Sequence, residues 1–114
     1  MSAPSLYKLI ATYWDRYDAL CRAMDFTDSQ PDGKQKEKAF EKQFAVGAKL
    51  DEAACAICAF VPTSTFEARI KHGFVSDLMA RNGRLEESEV DALLSSIEHV
   101  VASVAYIDQR GATL

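Results

Sequence analysis

Apolar side chains recur along most of the chain at the three- and four-residue spacing of amphipathic helices. Residues 28–33 interrupt this spacing with Pro31-Asp32-Gly33. This combination is typical of a turn. Proline fixes its own φ, the aspartate side chain can hydrogen-bond to the backbone, and glycine tolerates a positive φ. The apolar positions before it share one stripe and predict a first helix over about residues 5–27: Leu6, Ile10, Tyr13, Tyr17, Leu20 and Met24.

A second helix is predicted over about residues 34–60. It opens with a charged run at residues 34–38 and then becomes rich in alanine and other small residues. Small residues on an inner face allow helix axes to approach closely. Since glycine costs up to about 1 kcal/mol in a helix interior, we expect Gly47 to be kept for such a contact.

The clearest break in the helical pattern is the stretch from Val61 to Glu67. Pro62 lacks a backbone N–H and disfavours helical conformation at the residue before it. Ser64 is the predicted N-cap of the next helix, with Glu67 completing a capping box, and Thr63 is the rival cap. One helix therefore ends and another begins within a few residues.

The third helix is predicted over about residues 65–81 and the fourth over about 86–107. Asn82-Gly83 favours the end of the third helix, and residues 108–114 are expected to fray. The predicted fold class is all-α, with the four helices paired as two antiparallel hairpins in a bundle-like single domain over residues 1–114. The apolar stripes are Phe66, Ile70, Phe74 and Leu78 in the third helix, and Val90, Leu93, Ile97, Val100, Val104 and Ile107 in the fourth.

Composition excludes several classes of function. The chain has 114 residues and a formal net charge of -4, and this mild acidity disfavours charge-driven binding to nucleic acid. No apolar run is long enough to predict a membrane span, and the N-terminus lacks the basic and apolar pattern of a secretory leader. Three cysteines without an export signal indicate reduced thiols in the cytoplasm.

The cysteines are the first candidates for chemistry. Cys55 and Cys58, together with Cys21 and His72, supply the ligand types of a Cys3His zinc site. The pair falls inside a predicted helix, whereas redox pairs need a thiol at a helix N-terminus. We therefore interpret the cysteines as core residues and expect no metal or cofactor, with a thiol–zinc protein as the second alternative function.

No sequence motif predicts a catalytic site. The chain contains no Gly-x-Ser-x-Gly, no phosphate-binding glycine loop and no His-Glu-x-x-His, so catalysis is not expected. Neither His72 nor His99 has a glutamate three residues before it, as a di-iron helical bundle requires. Glu86, Glu87 and Glu89 are interpreted as the solvated start of the fourth helix.

A locally basic helix offers the first alternative function. Residues 63–84 carry four Lys or Arg against two acidic residues, whereas residues 85–108 carry six acidic residues and no Lys or Arg. A helix behind a tight turn can serve as a DNA recognition helix, although complementary helix faces in a bundle or dimer produce the same contrast. The alternative is a DNA-binding regulator that uses Arg69, Lys71, Arg81 and Arg84, with His72 beside them.

The sequence around the corner reads Val61-Pro62-Thr63-Ser64-Thr65-Phe66-Glu67-Ala68, after a helix that contains Ala53, Ala54 and Ala59. This pattern, within residues 56–71, resembles a group of small bacterial all-α helical-hairpin proteins, some of them phage-associated. In that group a long Ala-rich helix ends in a Thr-Pro-Ala-Thr-Thr-like turn. The likeness covers about residues 5–80 and extends to Trp14, while Val61 and Phe66 depart from the expected Thr and Leu. It implies a helical fold, no assigned biochemical role and no catalytic residue.

The function expected from these patterns is binding. We interpret the chain as a small helical interaction or regulatory protein that acts as a homo-oligomer, a dimer first of all, or through a protein partner. The candidate contact residues are Tyr13, Trp14 and Tyr17 on the first helix and Gly47 on the second. The simpler alternative is that each of them only fills the core of the monomer.

Overall fold

Every regular element in the described part of the chain is an α-helix. The computed structural model describes residues 5–97. Helix α1 spans Leu6–Ser29, α2 spans Lys34–Ala59 and α3 spans Thr65–Asn82, while α4 begins at residue 87 and is described to residue 97. The all-α prediction is confirmed. The predicted remainder of the fourth helix and the predicted frayed tail at residues 108–114 lie outside the described residues.

Local side-chain chemistry sets the two ends of α1. Ser5 is the N-cap, and its hydroxyl accepts the N–H of Lys8 at 3.2 Å. The helix continues two residues past its predicted end and stops at Gln30, whose φ of -82° and ψ of 144° are extended. Gln30 precedes Pro31, and a proline ring clashes with a helical residue before it. The N–H of Gln30 turns back to the carbonyl of Thr27 at 3.1 Å.

The chain divides into two compact units, Met1–Ala54 and Cys55–Leu114. The boundary lies inside the continuous helix α2. The division therefore does not by itself separate two domains, and the single domain over residues 1–114 stays a prediction. Among residues 5–97, no helix is both long enough and apolar enough to cross a membrane.

The first unit is a hairpin of α1 and the larger part of α2. Gly33 supplies the turn with a φ of 114°, a region that favours glycine. A surface depression of about 260 Å³ is lined by residues of both helices, with Thr12 and Arg16 opposite Glu52 and Ala53. Residues far from the loop on α1 therefore lie near residues far from the loop on α2, so the helices run antiparallel. The buried residues are Leu6, Tyr13, Thr27, Ala39, Ala53 and Ala54.

The second unit contains the end of α2, the corner, α3 and α4. Lys71 on α3 and Ser96 on α4 lie nearly equally far along the chain from the turn at Gly83, and the Lys71 Nζ donates to the Ser96 Oγ at 2.8 Å. This contact makes α3 and α4 a second antiparallel pair. Gly83 ends α3 with a φ of 77°, and its N–H donates to the Met79 carbonyl at 2.8 Å.

The corner between α2 and α3 contains the predicted capping box. Ser64, not Thr63, is the N-cap, and its hydroxyl accepts the N–H of Glu67 at 3.1 Å. The Glu67 carboxylate reaches one residue further back than in the usual box. It accepts the N–H of Thr63 at 2.8 Å and the Thr63 hydroxyl at 2.7 Å. These two hydrogen bonds, the hydroxyl's first, lower the pKa of Glu67.

Candidate functional site

The predicted aromatic contact residues form one cluster on α1. The Tyr13 and Trp14 rings meet edge to face with centroids 5.3 Å apart, and Trp14 meets Tyr17 in the same way at 5.4 Å. The two tyrosine rings stack at 6.4 Å. Tyr13 is only 3% exposed, whereas Trp14 is 43% exposed. Trp14 is therefore the member of the cluster that offers substantial surface to a partner.

Gly47 lies on α2, within the hairpin of the first unit. A methyl group built at this position would meet only the Leu20 Cδ1, at 4.0 Å. That distance is an ordinary van der Waals contact. Packing against α1 therefore does not require a glycine here, and the expected close approach of helix axes at Gly47 is absent within the first unit. A contact between Gly47 and a partner stays a prediction.

Large apolar side chains are exposed on all four helices. On α2, Phe40 and Phe44 lie one turn apart and are 42% and 75% exposed. Soluble monomers rarely expose large contiguous apolar patches, and such patches commonly mark interaction sites. The other large apolar side chains exposed by more than a third are Tyr7, Trp14, Met24 and Phe26 on α1, Phe66 and Met79 on α3, and Val90, Leu94 and Ile97 on α4.

The rotation of α4 differs from the predicted one. The sequence predicts an inner stripe that includes Val90 and Ile97, but these are 38% and 48% exposed, so the predicted stripe is wrong at both positions. Glu89 and Ser96 are buried instead, at 2% and 4% exposure, which also corrects the prediction that Glu89 belongs to a solvated helix start. The hydrogen bond between Lys71 on α3 and Ser96 on α4 explains the rotation, and the buried Glu89 carboxylate has its own partner within α4.

Glu89 and Ser96 take part in different contacts. The Glu89 Oε1 accepts the N–H of Glu86 at 2.7 Å, which satisfies a backbone donor at the start of α4 in the manner of a capping box. The Ser96 hydroxyl accepts from the Lys71 Nζ and donates to the Leu93 carbonyl at 2.7 Å. Turning α4 to bury Val90 and Ile97 would separate the Ser96 hydroxyl from the Lys71 Nζ on α3, whereas the bonds to Glu86 and Leu93 lie within α4 or at its start and would move with it.

Lys71 is a buried side chain and not the surface cation that the sequence predicted. It is 6% exposed, and its Nζ donates to the Phe60 carbonyl at 2.7 Å as well as to Ser96. Phe60 directly follows α2, where helix carbonyls lack intrahelical partners. Burial lowers the pKa of Lys71, and the nearby Cys58 opposes that shift. The lysine thus joins the end of α2 to both α3 and α4.

Cys58 lies in the same buried polar cluster, which comprises Cys58, Lys71, Glu89 and Ser96. It is fully buried. Burial first, and then the neighbouring Glu89 carboxylate, raise the pKa of its thiol to about 11. A thiol with a raised pKa is a poor nucleophile and a poor metal ligand, since both roles need the thiolate. The partly exposed Cys55 thiol donates to the Ser88 hydroxyl at 3.4 Å.

The contact between Lys71 and Ser96 has the partners of a serine–lysine catalytic dyad. Its geometry opposes that role. The Ser96 hydroxyl is buried and donates its proton to the Leu93 carbonyl, and the Lys71 amine acts as a donor to serine instead of an acceptor from it. The buried polar cluster therefore works as a structural clamp between helices.

The zinc and DNA alternatives depend on side chains whose positions the structure describes. Among residues 5–97, no group of three or more His, Cys, Asp or Glu side chains is placed to hold a metal ion. For DNA, the burial of Lys71 removes one member of the predicted set. The remaining basic residues on or beside α3 are all exposed, and DNA binding stays a prediction for them: Arg69, His72, Arg81 and Arg84.

The spacing of residues in the sequence indicates which side chains form the buried polar cluster. Lys71 lies three residues before Phe74 and seven before Leu78, so it shares their helix stripe. Glu89 and Ser96 are also seven residues apart and share a stripe of α4. The usual expectation that charged residues face solvent hides this pattern.

No family model matches the chain, and no curated protein or solved structure matches it either. The resemblance of residues 56–71 to bacterial helical-hairpin proteins therefore stays a prediction, as does the bacterial origin that it implies.

Proposed function

We propose that this chain is a small helical interaction protein that self-associates as a dimer through the aromatic surface of its first unit. We define this dimer surface as Phe40 and Phe44 on α2. The observation that carries the proposal is the exposure of these two neighbouring rings, of which Phe44 is 75% exposed. Trp14, the accessible member of the predicted aromatic cluster, is a further exposed aromatic residue of the same unit.

The apolar area of the two rings sets the size of their own contribution, and a stable dimer would bury further surface around them. A phenylalanine ring contributes about 150–250 Å² of surface. The exposed parts of Phe40 and Phe44 therefore amount to about 200 Å² in each copy, worth about 5 kcal/mol at 25 cal/mol per Å² before the cost of association. Because a two-fold interface uses the same patch on both copies, the gain would apply twice.

The cytoplasm is the proposed location. Cys21, Cys55 and Cys58 are all free thiols, and disulfides are rare where glutathione and thioredoxin keep thiols reduced. Cys21 is the exposed one of the three thiols, so it is the thiol that would be oxidised first in an oxidising compartment. The proposed interaction protein therefore suits a reducing environment.

Sedimentation velocity over a range of concentrations tests the dimer surface. We expect the wild-type chain to dimerise and the double variant Phe40→Ser/Phe44→Ser to dissociate at least about tenfold more readily, which corresponds to about 1.4 kcal/mol. Phe26→Ser is the matched control, because it removes an aromatic ring that is 53% exposed on α1. Equal dimerisation of the wild type and the double variant would refute this surface.

A further inference from the structure

The outward side of α4 combines an apolar stripe with negative charge. Val90, Leu94 and Ile97 follow a four-three spacing and are 38%, 51% and 48% exposed. That spacing places them on one stripe of the helix. The carboxylates of Glu86, Glu87 and Asp91 are exposed at the start of α4. We refer to these six residues as the acidic apolar face.

A buried hydrogen bond holds this face outward. On the opposite side of α4, the Ser96 hydroxyl contacts Lys71 and the Glu89 carboxylate contacts the N–H of Glu86. The bond between Lys71 and Ser96 joins α4 to α3 and opposes rotation of α4, whereas the Glu89 bond lies within α4 and caps its start. A surface held in its binding conformation loses less entropy on association.

Charge determines which occupant fits the face. Residues 85–97 contain no Lys or Arg, so two copies of the face would bring the carboxylates of Glu86, Glu87 and Asp91 together with no cation from α4 between them. Like charges brought together across an interface oppose association. A complementary occupant needs an apolar stripe flanked by Lys or Arg, and an amphipathic helix supplies both when it lies along an apolar helix face.

We infer that the acidic apolar face binds an amphipathic helix of a partner protein, in which Lys or Arg residues flank the apolar stripe. This inference rests on the proposed interaction function, but it uses a surface different from the dimer surface. The apolar stripe supplies affinity, and the carboxylates of Glu87 and Asp91 select a cationic partner over an anionic one.

Two synthetic peptides test the inference by fluorescence anisotropy with the full chain. Both are about 18 residues long, enough to form a helix on binding, and both carry the same leucine stripe. One has lysine flanks and the other glutamate flanks. We expect the lysine peptide to bind at least tenfold more tightly than the glutamate peptide. Equal affinity for the two peptides, or no binding of the lysine peptide, would overturn the inference.

Variants assign the binding to the face. Leu94→Ser/Ile97→Ser should weaken binding of the lysine peptide at least tenfold. Glu87→Gln/Asp91→Asn should weaken this binding severalfold without changing the apolar stripe. Phe66→Ser is the matched control, because Phe66 is an exposed apolar residue of α3 in the same unit. Circular dichroism confirms that each variant is folded. Unchanged binding by both double variants would refute the assignment.

The outcomes separate this inference from the dimer proposal. A monomeric chain that binds the lysine peptide would refute the dimer surface and support the acidic apolar face. A chain that dimerises but does not bind the lysine peptide would support the dimer surface and refute the acidic apolar face. Loss of dimerisation in Leu94→Ser/Ile97→Ser would show that a second copy occupies the face, which contradicts a cationic partner.

Discussion

The Cys58 thiol and the Lys71 amine belong to one buried cluster, and burial moves their pKa values in opposite directions. Burial disfavours whichever form of a group is charged, so it raises the pKa of the thiol and lowers that of the amine. Each group partly offsets the shift of the other, since the thiolate and the ammonium attract. At neutral pH the cluster therefore contains a protonated, unreactive thiol.

The raised pKa of Cys58 predicts a loss of stability at alkaline pH. The folded chain holds the thiol proton up to about pH 11, whereas the unfolded chain releases it near pH 9. The contribution of the protonated Cys58 thiol to the free energy of unfolding is therefore fully present below pH 9. About 2 kcal/mol of it is lost as the pH rises to 11. Lys71 contributes in the opposite sense, because its pKa is lowered.

Urea unfolding of the wild type and Cys58→Ala under reducing conditions checks this prediction. The stability advantage of the wild type should be smaller at pH 11 than at pH 8 by about 2 kcal/mol. Comparison with the variant cancels the titrating groups that do not interact with Cys58, and the difference includes the smaller change in Lys71, whose pKa Cys58 raises. An advantage that does not change with pH would contradict the burial of the thiol.

The open space beside Gly47 predicts that an alanine at this position stabilises the chain. Because a new methyl group would meet only the Leu20 side chain at 4.0 Å, Gly47→Ala should raise the free energy of unfolding by up to about 1 kcal/mol. Gly83→Ala is the control and should lower it, since a φ of 77° is strained for alanine. If Gly47→Ala weakens the dimer, Gly47 lies in a close contact with the second copy, and if it lowers the free energy of unfolding, the packing between α1 and α2 is tighter than the 4.0 Å contact implies.

At the scale of the element, the start of α3 depends on one hydroxyl. Ser64→Ala removes the acceptor of the Glu67 N–H and should cost about 1 kcal/mol in the free energy of unfolding. Thr65→Ala, one residue later and inside the first turn, should change it by much less. Chemical denaturation measures both variants, and equal effects would show that the cap does not stabilise the corner.

Helix boundaries were predictable because their causes are local. Pro31 and Pro62 end the helices before them, Gly83 ends α3, and Ser64 begins it, and each effect acts within a few residues. The sequence-based end of α1 was two residues early. Asp28 and Ser29 resemble a loop, but the helix continues through Ser29 and stops only at Gln30, where the following Pro31 disfavours helical conformation.

The rotation of α4 could not be predicted by the same reasoning. Apolar periodicity favours Val90 and Ile97 on the inner side, since it counts hydrophobic residues and ignores long-range hydrogen bonds. The observed rotation depends on Ser96 meeting Lys71, a residue 25 positions away in sequence. The exposed apolar stripe of α4, and with it the acidic apolar face, follows from that contact.

At the scale of the whole molecule, the two proposed surfaces differ in charge. The dimer surface on α2 follows residues of both signs on the same helix, including Lys36 and Glu37, whereas the charged residues on α4 from residue 87 to residue 97 are all acidic. Mixed charge permits two copies to pair, and a single sign of charge opposes it. The chain would therefore use one surface for itself and the other for a different protein.

Native mass spectrometry of the freshly purified wild-type chain over a concentration series tests the central claim most directly. Self-association predicts a metal-free species at twice the chain mass of 12.6 kDa that dissociates on dilution. A species at the monomer mass at every concentration up to about 100 µM, an affinity too weak for a stable dimer, would contradict it. A monomer that retains zinc or a small molecule would contradict it as well.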